Sequence, residues 1–328
     1  MKRFLLVAIL CFATLIFAEQ VLHMYTALDE NEWPIYVKAF EQATGIKVNV
    51  VRMSSGEILA RIEAESKNPR ASIWFGGPAV DHIAAKKKGL LEPYKSAATE
   101  KVPEAFKDPE GYWVGFYFGA IGFGTNTEHL KQLKVDPPRS WYDLLKPEFK
   151  GRIAVAYPYT SGTAYTVLAA LVAIMGEDEA FKYWKELDKQ IHHYTKSGSA
   201  PVTEAGLGEV TIAIAFAHDI IAKGIAKGYP LVLTFPKEPT GYEIGAMSLI
   251  KGGPEPELAK KFIDWMLSAE AQSLFKQWYR IPINPDAEVA PGAVKMQDVN
   301  VVSMDFDYFG REKDRLIERW KEEIEYGK

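Results

Sequence analysis

The sequence predicts an α/β protein of two lobes that are joined by two crossing strands, and three observations indicate this fold. The chain has 328 residues, which is enough for two domains at roughly 100–200 residues each. Strand and helix patterns alternate in two separate series, and such alternation predicts parallel pairing within each lobe. Two β-rich segments, YWVGFYFGAIGFGTN and GYEIGAMSLIKGG, stand where the chain would leave the first lobe and return to it.

The first series begins with VLHMYTALD, which predicts a strand followed by a helix through WPIYVKAFEQATG. IKVNVVRM alternates like a second strand, and EILARIEAESKNP predicts a helix with Ser54 or Ser55 as its N-cap. ASIWFGG predicts a third strand, and VDHIAAKKKG a short helix that ends at Gly89.

The second series begins with the strand RIAVAYP, followed by a helix from Ser161 to Met175 and another at EDEAFKYWKELDKQ. The apolar strand IAIAFA then stops at the ionisable pair His218-Asp219, and PELAKKFIDWMLSAEAQSLFKQWY predicts two amphipathic helices. From these patterns we predict that lobe 1 comprises residues 19–118 and 246–292, and that lobe 2 comprises residues 119–245 and 293–328.

The composition is that of an ordinary globular protein, with 48% hydrophobic and 25% charged residues. A net charge of -4 and a pI of about 6.0 argue against nucleic acid or an anionic membrane as the main partner.

The N-terminus predicts a secretory signal peptide over residues 1–18. Lys2-Arg3 precede the apolar run FLLVAILCFATLIFA, which closes on Ala18. At about 15 residues the run is short for a membrane anchor, which needs about 20. The only cysteine, Cys11, lies in this segment. We therefore expect an exported protein whose mature chain forms no disulfide, thiolate metal site or cysteine nucleophile.

Three segments share hydroxyl residues and glycine between a strand and a helix start: MSSGE, TSGTA and KSGSAP. A helix start offers unpaired amides and the positive end of the helix dipole, so each segment suits an anion. An ordinary N-cap explains any single one, but three of them from both lobes favour a shared phosphate-like site. The candidate residues are Ser54, Ser55, Ser161, Gly162, Thr163, Ser197 and Ser199.

Hydrogen-bond acceptors are predicted at the other end of the same cleft. His218 and Asp219 end a buried strand, and Glu243 lies on the second crossing strand. Carboxylates accept hydrogen bonds from vicinal sugar hydroxyls, so a phosphorylated polyol would match both ends. The alternatives are an N-cap role for Asp219 and a hinge salt bridge for Glu243.

Three further residues are weaker candidates. Trp74 would stack on a sugar ring, although core packing is commoner for a tryptophan, and Thr26 lies at the end of the first strand. Arg52 would assist a phosphate, although a solvated or salt-bridged arginine is commoner.

No motif of a known enzyme class is present. The sequence lacks GxxxxGK[ST], GxSxG, HExxH and a carboxylate pair with a nucleophile partner. We therefore predict a binding protein without a catalytic residue, metal ion or cofactor. An exported enzyme that acts on a phosphate ester, with Asp219 or Glu243 as base, is the least favoured alternative.

The chain resembles the bacterial extracellular solute-binding proteins of the ferric-iron-binding type, which have the two-lobed periplasmic-binding fold (type II). The resemblance spans the chain after residue 18 and rests on MYTALDENEWPIYVKAFEQATGIKV, SSGEILARIEAE, ASIWFGGPAVD, TSGTA and IPINPDA. It implies a periplasmic receptor that closes on its ligand and delivers it to the membrane permease of an ABC importer. We expect a monomer.

Two departures from the ferric-binding pattern bear on the ligand. His218-Asp219 replaces the adjacent tyrosines of the iron binders, and Asp29 stands in place of their histidine after the first strand. The anion loop Ser161-Gly162-Thr163 remains. This pattern resembles the sugar-phosphate-binding branch, where a His-Asp pair and a downstream glutamate, here Glu243, take the sugar hydroxyls. The leading hypothesis is therefore a phosphorylated sugar or related organophosphate, and the alternative is ferric iron or an iron chelate.

Overall fold

The structure is a computed structural model that describes residues 20–327. The predicted signal peptide and Cys11 lie outside the described residues. Within the described range, no helix is both long enough and apolar enough to cross a membrane.

The strands form one mixed sheet that runs through both lobes in the order β2-β1-β3-β10-β5-β8-β6-β7, with β4, β9 and β11 attached at its sides. Pairs β1–β2, β1–β3, β6–β7 and β6–β8 are parallel, as the alternating patterns predict. The strands are β1 (Val21–Thr26), β2 (Lys47–Arg52), β3 (Ile73–Pro78), β4 (Leu91–Glu92), β5 (Val114–Asn126), β6 (Ile153–Ala156), β7 (Ile191–Thr195), β8 (Ile212–Phe216), β9 (Leu231–Thr234), β10 (Tyr242–Ile250) and β11 (Ile281–Pro282).

Helices cover both faces of the sheet and begin where the capping signals predict for α2 and α5. The helices are α1 (Trp33–Thr44), α2 (Ser55–Ala64), α3 (Ala79–Lys87), α4 (Thr127–Leu133), α5 (Gly162–Met175), α6 (Glu177–Asp188), α7 (Ala200–Leu207), α8 (Ala217–Asp219), α9 (Pro256–Met266), α10 (Ala269–Ser273), α11 (Phe306–Arg311) and α12 (Lys313–Trp320).

Strands β5 and β10 are the two crossing strands, and the predicted type II fold is confirmed. The first part of β5 pairs with β10, and the part from Ile121 to Thr125 pairs with β8. The thirteen residues of β5 are all buried, because the strand is covered along its whole length by both lobes. The residue boundaries of the lobes remain a prediction.

Separate hydrophobic cores lie on the two sides of the crossing strands. In the first lobe, aromatic side chains such as Phe40, Phe75 and Phe262 pack between α1, the sheet and α9. In the second lobe, α5 is buried along most of its length against Trp184 and Trp320. Two cores of this kind allow each lobe to pack independently of the other.

The C-terminal segment touches both lobes. Helix α11 packs against α3 of the first lobe, whereas Trp320 of α12 lies in the core of the second. At the junction, Lys313 and Asp81 form a buried ion pair with Nζ 2.7 Å from Oδ1. The segment therefore forms a third connection between the lobes, which the sequence patterns did not predict.

Candidate functional site

One cavity between the lobes brings most of the predicted residues together. It encloses about 440 Å³ of empty space, including its open mouth. The turns after β1, β2 and β3 line it from the first lobe, and the turns before α5 and α7 line it from the second. The predicted residues that line it are Ser54, Ser55, Ser161, Gly162, Thr163, Ser197, Ser199, His218, Asp219 and Glu243.

Two predicted residues lie away from the cavity. Trp74 is fully buried in the first lobe, where its ring stacks on that of His82 with centroids 4.1 Å apart. Thr26 is also fully buried, and its hydroxyl donates to the carbonyl of Phe75 at 2.8 Å. Core packing and a sheet-edge hydrogen bond account for these two side chains, so we leave them out of the proposed site.

The start of helix α5 forms one wall of the cavity. Ser161 is the N-cap residue, and its Oγ accepts a hydrogen bond from the amide of Ala164 at 3.4 Å. A side chain at Gly162 would not fit, since its Cβ would lie 2.5 Å from Pro78 Cδ and 2.7 Å from Asp81 Oδ2. The first amides of a helix have no partner within it and carry the positive end of the dipole. This wall therefore favours an anion.

Two more helices begin at the same cavity. Ser54 caps α2 in a capping box with Glu57, and Ser199 precedes α7. The hydroxyl of Ser55, in the first turn of α2, is buried without a hydrogen-bond partner among the described residues. A buried hydroxyl without a hydrogen-bond partner destabilises the folded protein, and a hydrogen bond to a ligand oxygen would offset this cost. Helix starts from both lobes thus converge on one space that lacks a lysine among its lining residues.

Hydrogen bonds across the cleft hold the lobes together beside these helix starts. The amide of Gly56 donates to the carbonyl of Thr160 at 2.9 Å. The hydroxyl of Ser54 donates to the carbonyl of Lys196 at 3.2 Å. The Ser54 hydroxyl is therefore engaged with the opposite lobe, and its contribution to the cavity is to hold the two walls in place.

A second set of contacts across the cleft surrounds Asp29. Its Oδ2 accepts hydrogen bonds from Lys223 Nζ at 2.7 Å and from Ser199 Oγ at 3.1 Å. Burial opposes ionisation of Asp29, but Lys223 and the hydrogen bonds outweigh it and lower the pKa of the carboxyl group. Nearby, Arg52 Nη2 donates to Ser197 Oγ at 3.2 Å. Asp29, Arg52, Ser197 and Ser199 line the cavity and thus also form contacts that hold the cleft closed.

His218 and Asp219 lie where β8 ends and the short helix α8 begins, just before a π-helical turn at Ile220–Gly224. Asp219 Oδ1 accepts a hydrogen bond from the indole of Trp278 at 3.1 Å, and within residues 20–327 the carboxylate makes no capping bond to a backbone amide. The side chain of Asp219 therefore does not act as an N-cap. π-Helical turns are rare and often occur at functional sites.

Glu243 lies on crossing strand β10 and is 2% exposed. Its Oε1 is 3.7 Å from His218 Nε2 and 3.4 Å from Arg280 Nη1. The predicted acceptors are therefore gathered on a small area of the cavity wall, close to the point where the chain crosses between lobes.

Sequence reasoning missed Arg280 at this end of the cavity. The side chain is 4% exposed and forms a bidentate ion pair with Glu32, with distances of 2.6 Å from Nε and 2.8 Å from Nη2. Its guanidinium lies over the ring of Tyr117 at 3.9 Å. The signal in the sequence was a lone arginine inside the apolar segment QWYRIPI, a context in which a buried charge needs a partner.

Burial controls ionisation at this end of the cavity. It raises the pKa of Glu243 to about 8 although Arg280 opposes the shift. Burial also raises the pKa of Asp219 and lowers that of His218 well below its usual value, and Arg280 reinforces the shift of His218. At neutral pH, His218 is uncharged and Glu243 is mostly protonated, so a ligand here meets hydrogen-bond donors as well as acceptors.

The site combines helix N-termini and hydroxyl groups with a His–Asp–Glu group in one cavity. Among residues 20–327, no group of three or more His, Cys, Asp or Glu side chains is arranged to hold a metal ion. Two lobes that meet on one polar cavity define a solute-binding protein.

The sequence of the chain matches the family of bacterial extracellular solute-binding proteins over residues 76–308. The chain belongs to this family, and it is the solute-binding component of an ABC importer. A protein of Haemophilus influenzae without an assigned function is 40% identical over 89% of this chain and 87% of its own length.

Two solved structures are similar to the whole described chain. The periplasmic binding protein AfuA from Actinobacillus pleuropneumoniae, with exogenous fructose-6-phosphate bound, is 37% identical with a TM-score of 0.91 and covers 94% of this chain and 99% of its own. The periplasmic binding protein P5PA is 35% identical with a TM-score of 0.89 and covers 93% of this chain and 100% of its own.

Proposed function

We propose that this protein binds a phosphorylated sugar, or a closely related organophosphate, in the cavity between its lobes. The observation that carries the proposal is that helix N-termini with their hydroxyl groups and a His–Asp–Glu group line the same cavity. The phosphate group would bind at the starts of α2, α5 and α7, and the sugar hydroxyls at His218, Asp219 and Glu243. The likeness to AfuA, which was solved with fructose-6-phosphate, supports the same ligand class.

The phosphate end depends on three hydroxyls and on main-chain amides. Ser55, Ser161 and Thr163 line the cavity, and within the described part of the chain their side chains form no hydrogen bond across the cleft. Ser54, Ser197 and Ser199 also line it but bond to the opposite lobe. We therefore assign the first three to the phosphate oxygens, and we assign the other three mainly to closing the cleft around the ligand.

Ferric iron is less well matched to these residues. The one phenol on the cavity wall, Tyr117, is fully buried, and burial raises its pKa well above the usual value. Iron binding through this oxygen would require the phenol to release its proton, and the raised pKa makes that release more costly than for an exposed tyrosine. Asp29, at the position of the iron binders' histidine, is already paired with Lys223.

Calorimetry on the mature chain tests the ligand class. Glucose 6-phosphate and fructose 6-phosphate would be compared with the free hexoses, inorganic phosphate, a hexose 6-sulfate and ferric citrate. We expect micromolar or tighter binding of at least one hexose phosphate, unaffected by EDTA, and binding of the free hexose weaker by about a hundredfold or more. Heat from ferric citrate alone, abolished by a chelator, would instead establish the iron alternative.

The remaining features of the proposal concern the cellular setting. We propose a monomer that is exported to the periplasm, delivers its ligand to a membrane permease and catalyses no reaction. Light scattering gives the mass in solution, and incubation with the hexose phosphate followed by mass spectrometry detects any turnover. A hydrolysed or rearranged ligand would establish an enzyme.

A further inference from the structure

Arg280 lines the cavity together with His218, Asp219 and Glu243. Its Nε and Nη2 are both occupied by Glu32, and its third nitrogen, Nη1, lies 2.7 Å from His218 Nε2. His218 belongs to the second lobe, whereas Arg280 and Glu32 come from segments of the first. A side chain of one lobe therefore touches a proposed ligand-binding residue of the other.

The backbone beside Arg280 is held in an uncommon conformation. Tyr279 has a φ of 56°, in the left-handed region, and it directly follows a 3₁₀ turn at Leu274–Trp278. Bulky residues rarely adopt this conformation, because the Cβ approaches the following carbonyl, so the surroundings must compensate for the strain. The residue before it, Trp278, donates to Asp219 at 3.1 Å. One short segment thus reaches both members of the His218-Asp219 pair.

The contact between Arg280 and His218 determines which ring nitrogen of His218 carries the proton. A guanidinium has only N–H donors and stays protonated at every pH at which the protein is folded. The ring nitrogen that faces it must therefore be the unprotonated one. Nε2 of His218 accepts the hydrogen bond, and the single ring proton of the neutral imidazole lies on Nδ1.

We propose that Arg280 is a positioning residue that holds His218 in the neutral Nδ1–H form and so makes His218 a hydrogen-bond donor to the ligand. Nδ1 of His218 is buried and has no hydrogen-bond partner among the described residues, although the ring lines the cavity. A ligand oxygen that accepts from Nδ1 would satisfy this group. Asp219 then remains the acceptor for ligand hydroxyls, and the two neighbours have opposite roles.

The surroundings of the ring support this assignment. Asp219 Oδ2 and Glu243 Oε1 both lie 3.7 Å from Nε2, which is too far for a hydrogen bond that would compete with Arg280. Tyr117 and Phe216 pack against the ring and contribute no charge to it. Neither of these two carboxylates therefore accepts a hydrogen bond from Nε2, and neither favours a proton on this nitrogen while Arg280 is present.

Nuclear magnetic resonance of the ligand-free mature chain tests the proposal. Long-range ¹H–¹⁵N correlation distinguishes the two neutral forms of a histidine, and the signals of His218 are assigned by their loss in His218→Asn. We expect a protonated Nδ1 and an unprotonated Nε2 at pH 7. A protonated Nε2 in the unaltered protein would overturn the proposal. This measurement is made without a ligand, so its result does not depend on the class of ligand that the protein binds. The donor role of His218, by contrast, rests on the proposed function.

A double variant removes the arginine together with its ion-pair partner Glu32. Glu32→Gln with Arg280→Met replaces both members of the ion pair, whereas Arg280→Met alone would strand Glu32 and risk misfolding. We expect the proton of His218 to shift in large part to Nε2 and hexose phosphate affinity to fall at least tenfold, while the signals of buried His82 stay unchanged. An unaltered His218 spectrum in the folded double variant would refute the role of Arg280. If the double variant does not fold, the spectrum of the unaltered protein decides.

Discussion

The amide of Gly56 donates a hydrogen bond to the carbonyl of Thr160, 2.9 Å away on the opposite side of the cleft. Gly56 lies in the first turn of α2 and Thr160 just before α5, so two of the helix starts that form the anion-binding end meet at this bond. A Cβ at position 56 would lie 2.2 Å from the carbonyl oxygen of Tyr159. Glycine is therefore required here for the lobes to approach so closely.

Gly56→Ala should weaken ligand binding by hindering closure. The added methyl group meets backbone, which cannot move aside as a side chain would, so we expect affinity for the hexose phosphate to fall about tenfold or more. Alanine is favoured over glycine in a helix by about 1 kcal/mol, so the melting temperature of the ligand-free protein should not decrease. Calorimetry and thermal melts measure the two effects. Unchanged affinity would show that this contact does not limit closure.

The ion pair between Asp29 and Lys223 should contribute to affinity by stabilising the closed cleft. A double-mutant cycle with Asp29→Ala and Lys223→Ala isolates their interaction, for which we expect a coupling of about 1 kcal/mol in the free energy of ligand binding. Lys182→Ala, which removes an exposed pair with Glu179 on α6, serves as a control and should leave binding unchanged. Strictly additive single effects would mean that the pair does not act as a unit.

Thr163→Val tests the phosphate end with little change of shape. Thr163 lines the cavity, and a hydrogen bond to a charged group contributes about 1.5–3 kcal/mol, so affinity for the hexose phosphate should fall roughly ten- to a hundredfold. Thr166→Val is the matched control, since the hydroxyl of Thr166 bonds only to the carbonyl of Gly162 within the same helix. Equal losses in the two variants would contradict a phosphate-binding role for Thr163.

The local parts of the site could be predicted from the sequence. The caps Ser54 and Ser161 follow from short-range chemistry, and the end of β8 at His218-Asp219 follows from an abrupt change in hydropathy. Their convergence follows from the rule that ligands bind beyond the carboxyl ends of parallel strands.

The pairings across the cleft could not be predicted in this way. Arg280 and Glu32 are separated by 248 positions, and no periodicity or motif connects two single charged residues over that distance. Lys223 and Asp29 are a similar case. Trp74 was a weak candidate for stacking on a sugar ring, and the structure instead has it in the core, where it packs against His82. The ion pairs across the cleft and the burial of Trp74 both depend on packing between residues far apart in the sequence, which local sequence patterns do not indicate.

Glu243 should make stability depend on pH in a direction opposite to that of most carboxylates. Burial raises its pKa from about 4.5 to about 8, so between these values the folded protein keeps a proton that the unfolded chain has released. The free energy of unfolding therefore falls as pH rises through this window and levels off above pH 8.

The charged and titratable groups around it are Arg280, Asp219, Glu32, Tyr117 and His218. Because burial raises the pKa values of Asp219 and Glu32 as well, the contribution of Glu243 has to be measured as a difference. Denaturant unfolding of the unaltered protein and of Glu243→Gln at pH 4 to 9 provides this difference. The Gln variant should gain stability relative to the unaltered protein between about pH 4.5 and 8, by on the order of a few kcal/mol at about 1.4 kcal/mol per pKa unit. Two curves that stay parallel throughout would show that Glu243 ionises in the folded state as readily as in the unfolded chain.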